Sequence, residues 1–120
     1  MTTFGDILQA MVERVPGALG AIFVDWEGEP VECFSFDMPS LDMQIIGAQW
    51  GVVWTQMQRA LGRARLGAPI ELVVDGERGS VFIHQVTDQY FVVMAAKRDT
   101  HLATAQRELA RSAASLRAEM

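Results

Sequence analysis

Apolar residues recur at helical spacing from Phe4 to Arg14, where Phe4, Ile7, Leu8, Met11 and Val12 fall on one face. Thr3 is placed to cap this helix, Asp6 lies in its first turn, and Pro16-Gly17 ends it. The pattern then changes. Ala18 to Asp25 and Pro30 to Phe36 read as two strands joined by a turn at Trp26-Glu27-Gly28, a hairpin in which glycine supplies the special backbone angle. Pro30 has no N–H to donate, so it suits the first residue of a strand or an edge.

Pro39 and Ser40 precede the longest helical pattern in the chain, from Leu41 to about Leu66, with no proline inside it. At 100° per residue, Leu41, Ile45, Ile46, Val52, Val53, Met57 and Ala60 share one broad face, which Met43, Trp50, Trp54 and Leu61 extend sideways. The apolar arc spans about 220°, more than the ~100° stripe of an ordinary surface helix, so one sheet alone cannot cover it. Beside it runs a strip of Gly47, Gly51 and Thr55, then Gln58 and Gly62. Each glycine inside a helix costs about 1 kcal/mol relative to alanine. Close approach of another backbone accounts for keeping them. A second helix is the expected neighbour, and relief of crowding against the chain's own sheet is the alternative.

Three more strands follow the break at Gly67-Ala68-Pro69: Ile70 to Asp75, Ser80 to Val86 and Tyr90 to Ala96. The short turns between them imply an antiparallel meander. The apolar run from Phe91 to Ala96 implies a central strand buried on both faces. Asp99-Thr100 then opens a last helix with Leu102, Ala105, Leu109, Ala113 and Leu116 inward and Arg107, Glu108 and Arg111 outward. The predicted fold class is α+β, in the order α-β-β-α-β-β-β-α, over one domain spanning residues 1–120.

Composition narrows the function. Half of the 120 residues are hydrophobic and 21% are charged, which fits a folded chain with room for one core. The net charge is −5, and nine arginines and Lys97 are scattered among fifteen carboxylates, so nucleic acid is not an expected partner. The N-terminus has no basic, apolar leader and no apolar run approaches a membrane span, so the expectation is a cytoplasmic protein without membrane insertion. Cys33, the single cysteine, fits a reducing compartment.

Candidate chemistry is sparse. Cys33 has no basic neighbour in sequence to lower its pKa, His84 lies mid-strand, and His101 sits at a helix start. Gly17-Ala18-Leu19-Gly20 lacks the lysine of a phosphate-binding loop. Asp25, Glu27 and Glu29 have no calcium-loop spacing and read as a solvated turn. No catalytic, metal or cofactor-binding residues are therefore expected. Arg59, Arg63 and Arg65, near the end of the long helix, raise the idea of an arginine finger, but cations at a helix end are already favoured by its dipole.

The element order at this length resembles the roadblock/LC7 family, which includes dynein light chains, endosomal scaffold subunits and bacterial regulators of polarity GTPases. The resemblance is carried by Val15-Pro16-Gly17-Ala18 before the first strand, the hairpin from Val24 to Val31, the long helix ending in Leu61-Gly62, and Arg107-Glu108-Leu109 through Leu116. It implies a profilin-like five-stranded antiparallel sheet, ordered 2-1-5-4-3, between the long helix and the two terminal helices. It also implies a homodimer joined through the third strand, Ile70, Glu71, Leu72, Val73 and Val74, with the long helices packed together. That edge has neither lysine nor proline and would be an aggregation hazard if left open. The implied partner is a small Ras-like GTPase, bound at Met43, Gly47, Trp50, Gly51, Trp54, Thr55 and Gln58, with activation of its GTP hydrolysis as a further implication. Trp50 and Trp54 are either hot-spot anchors or core residues. The alternatives are a scaffold or motor-associated subunit pairing with another roadblock protein, and a small-molecule-sensing module with a pocket between long helix and sheet.

Overall fold

The computed structural model describes residues 3–120. Helix α1 (Phe4–Arg14) begins where Thr3 Oγ1 accepts the Asp6 N–H at 3.1 Å and Asp6 Oδ2 accepts the Thr3 N–H at 3.2 Å. This reciprocal cap satisfies donors that a helix start otherwise leaves free. Pro16 and Gly17, the latter at φ 96°, turn the chain into β1 (Ala18–Asp25), with the Ala18 N–H donating to Val15 O at 3.0 Å. Asp25 Oδ1 then accepts the N–H groups of Glu27 and Glu29, both at 2.9 Å, and holds the turn into β2 (Pro30–Ser35).

The long helix α2 covers Ser40–Arg63 and so stops three residues short of Leu66. Leu66 N–H donates back to Leu61 O at 2.9 Å and Arg65 N–H to Gly62 O at 3.1 Å, with Arg65 at φ 58°. That bonding pattern closes a helix C-terminus in the left-handed conformation, usually with glycine at the position Arg65 takes. Glycine-based reading placed the end later because Gly67 is the first glycine past the apolar pattern.

Strands β3 (Glu71–Asp75), β4 (Gly79–Gln85) and β5 (Tyr90–Lys97) follow, then α3 (Leu102–Ala118). Ile70 lies just outside β3, although its carbonyl still accepts the Gln85 N–H. Helix α3 starts later than Asp99-Thr100, and two of its positions differ from the expected pattern: Leu102, in the first turn, is exposed, and Glu108 is buried. Asp99 adopts φ 69°, Thr100 Oγ1 donates to Lys97 O, and His101 is the cap, its Nδ1 accepting the Thr104 N–H at 3.2 Å.

All five strands form one antiparallel sheet in the order β2-β1-β5-β4-β3, as the resemblance implies. Side chains alternate across β5: Val92, Met94 and Ala96 enter the core beneath α1 and α3, whereas Phe91, Val93 and Ala95 enter the core beneath α2. The central strand is thus buried on both faces. Arg117 Nε donates to Val86 O at 2.6 Å and ties the end of α3 to the sheet.

Candidate protein-interaction surface

Helix α2 has one side that the sheet dictates. Met43, Gly47, Gly51 and Trp54 are buried, with Trp50, Met57 and Leu61 half-buried around them. Trp54, only 2% exposed, stacks on Phe91 at a ring-centroid distance of 5.8 Å, among Ile22, Val24, Ile83 and Val93. Burying a tryptophan removes on the order of 200 Å² from water, and at about 25 cal/mol per Å² this stabilises by roughly 5 kcal/mol. The space between α2 and the sheet is filled by such side chains.

The glycine strip, expected against a second helix, faces this chain's own sheet. A methyl at Gly47 would stand 2.9 Å from Ile22 Cγ2, and one at Gly51 would stand 3.3 Å from Phe91 Cζ and 3.5 Å from Gly28 Cα. The roughly 2 kcal/mol of helix propensity these two glycines forfeit is smaller than what seating Trp54 contributes. Gly62 is different, since nothing lies within 4 Å of its would-be methyl. Thr55 is half-buried, its hydroxyl donating to Gly51 O at 3.0 Å, and Gln58 is half-buried at the margin of the same side.

On the opposite side of α2, Leu41, Ile45 and Val52 are 66%, 46% and 61% exposed. All three lie within about 20° of the direction opposite Met43. Half-buried Ile46 and Val53 continue this apolar surface around one flank. At the other flank Trp26, more than half exposed on the β1–β2 turn, borders a groove of about 250 Å³ with Glu27, Ala48, Val52, Thr55 and Arg59. Leu41, Ile45, Val52 and Trp26, all exposed, are not among the partner-binding residues expected from the sequence. The glycines at four-residue spacing mark the side of α2 closest to the sheet, and the outward apolar residues lie opposite it.

The sheet continues the theme. Helix α2 lies over β1, β2 and β5, and Leu72, Val74 and Val81, on the same face of β3 and β4, are only half-buried. Strand β3 is a sheet edge, paired with β4 alone. An apolar helix flank, a half-covered sheet face and an open strand edge therefore occur together.

The residues with reactive side chains are kept apart. Cys33 lies on β2 facing α2, opposite Ile22, whereas His84 lies on β4 facing α3, opposite Val92. Three inter-strand spacings, about 14 Å, and the sheet itself separate them. His84 Nδ1 is 2.8 Å from Gln85 O. The Asp25 carboxylate is engaged by backbone N–H groups, and among the described residues no group of three His, Cys, Asp or Glu side chains is arranged to hold a metal ion. Among the described residues no helix is long and apolar enough to cross a membrane.

This layering of α2, a β2-β1-β5-β4-β3 sheet and paired terminal helices is the roadblock/LC7 fold. Superposition gives a TM-score of 0.87 with a roadblock/LC7 domain from Streptomyces avermitilis, at 17% identity over 96% of this chain and 95% of that one. MglB from Myxococcus xanthus gives 0.88, at 12% identity over 99% and 95%. MglC from the same organism gives 0.70, at 26% identity over the whole of both chains. No protein-family model matches the sequence, and no curated protein matches it.

Proposed function

We propose that this chain is a single-domain, dimeric regulator or adaptor that works in the cytoplasm by binding a small Ras-like GTPase. The observation that carries the reading is the exposed apolar side of α2, Leu41, Ile45 and Val52, together with a half-covered β3–β4 sheet face and the open β3 edge. Clustered exposed apolar surface marks interaction sites in folded proteins. Its position on the long helix and third strand matches the assembly surface that the roadblock resemblance implies. The likeness to MglB, a gliding protein, and the resemblance to roadblock regulators of polarity GTPases support a place in a bacterial gliding or polarity system. Trp26 and half-buried Trp50 are the aromatic candidates for contact with the GTPase, because Trp54 is already committed to the core.

Light scattering coupled to size exclusion tests the reading, first on the chain alone and then with a polarity-type GTPase loaded with GDP or a non-hydrolysable GTP analogue. The expected result is a mass near twice 13.3 kDa that increases with the GTP-like form. A monomer that binds neither form would sink the proposal. Hydrolysis assays on the complex separate activation from binding alone. The second reading, pairing with a different roadblock chain, is favoured by the charges on the β3 edge.

A further inference from the structure

Antiparallel strands alternate residues whose N–H and C=O both face one neighbour with residues whose groups face the other way. Gln85 N–H donates to Ile70 O at 2.8 Å, and Gly76 N–H donates to Gly79 O at 2.7 Å, in the same register that pairs Leu72 with Ile83. The even-numbered residues of β3 therefore face β4. The backbone groups of Glu71, Val73 and Asp75 point to the open edge.

If two identical β3 strands paired about a twofold axis, all of these groups would be used only with Val73 opposite its own copy, Leu72 opposite Val74, and Glu71 opposite Asp75. Moving the axis to Leu72 sets Asp75 against Pro69, which has no N–H. Moving it to Val74 sets Glu71 against Glu77 in the β3–β4 turn. The favoured register joins an apolar centre to two carboxylate–carboxylate pairs.

Those carboxylates are not neutralised within the chain. Glu71 accepts a hydrogen bond from Gln106 of α3, and Asp75 Oδ1 accepts one from Ser80 Oγ at 2.6 Å, which also fixes both on the α3 side of the sheet. Both donors are uncharged, and the ion pairs among the described residues involve neither acid. Like charges directly opposite across a strand pair are destabilising.

We infer that the acidic flanks make the β3 edge pair less tightly with its own copy than with the edge strand of a second protein that carries Lys or Arg opposite Glu71 and Asp75, with aliphatic residues between. The apolar centre supplies attachment and the acidic flanks supply choice. The inference rests on β3 being an assembly edge, the reading proposed above.

Sedimentation velocity on the full chain at low ionic strength tests it. Asp75→Lys replaces both repulsive pairs of a self-dimer by opposite-charge pairs, and self-association should tighten by on the order of tenfold or more. Glu71→Lys should do the same and guards against loss of the Ser80 contact. The double variant, Glu71→Lys with Asp75→Lys, should repel itself yet bind the unaltered chain more tightly than either binds its own kind. Raising the salt should level these differences. Val73→Pro removes the central outward N–H at an edge position that tolerates proline. Association lost in Val73→Pro but blind to the charge changes overturns this inference alone. Association indifferent to Val73→Pro, or absent in every variant, overturns the inference together with the assembly reading beneath it.

Discussion

The two faces of the sheet are closed to different degrees. On one, α1 and α3 lie side by side and bury Ile7, Leu8, Met11, Leu109 and Leu116 against Phe23, Phe82, Val92 and Met94. On the other, α2 works alone over β1, β2 and β5, and leaves Leu72, Val74 and Val81 half-covered. Two short helices span a five-stranded sheet where one long helix cannot. The face with one helix consequently shows apolar surface twice, on the outward side of α2 and over β3 and β4. The core is complete on one face, and the other leaves apolar surface exposed.

The inward side of α2 is core despite the open face around it, so Trp54→Ala should destabilise the chain by about 3 to 5 kcal/mol in urea unfolding. A loss below ~1 kcal/mol would mean that this face is loosely packed, and the contrast between inward and outward sides would fail. Gly47→Ala should cost about 1 to 3 kcal/mol, because the added methyl meets the buried, branched Ile22 side chain at 2.9 Å. A neutral result would mean that α2 can lift from the sheet without penalty. The end of the same helix should respond in the opposite direction. Gly62→Ala adds a methyl into open space and Arg65→Gly relieves a left-handed arginine, so each should raise stability by roughly 0.5 to 1 kcal/mol. Thermal melts of the two variants check this.

The smallest effect on stability belongs to the outward side. Val52→Asp should change the unfolding free energy by no more than about 0.5 kcal/mol, yet reduce the mass seen in light scattering to that of a monomer. An intact dimer in this variant would remove the outward side of α2 from the proposed interface, leaving the β3 edge as its remaining candidate.

Much of this architecture was legible in the residue pattern. Thr3 and Asp6 announce the first helix, Pro16-Gly17 the first turn, and the unbroken run from Phe91 to Ala96 a strand with a core on either side. Each signal is local, so the physics that fixes it needs no distant partner. The boundaries that moved were those set by other interactions. Arg65 closes α2 in a conformation usually left to glycine, and His101 caps α3 with a ring nitrogen where Asp99 and Thr100 had the expected cap chemistry.

The surface of α2 was the least legible part, for a reason that lies in the sequence itself. Its apolar arc is wider than any one contact, and a tryptophan suits a core and an interface equally well on chemical grounds. Periodicity gives the angles between side chains but not the direction of the sheet. Only the tertiary structure supplies that direction, through the close fit of Gly47 on Ile22 and of Trp54 on Phe91. By itself, the sequence determined the order of elements, the central strand and the presence of more apolar surface than one sheet can bury. The packing decided which apolar residues became core and which stayed exposed, because that choice depends on shape complementarity between elements far apart in the chain.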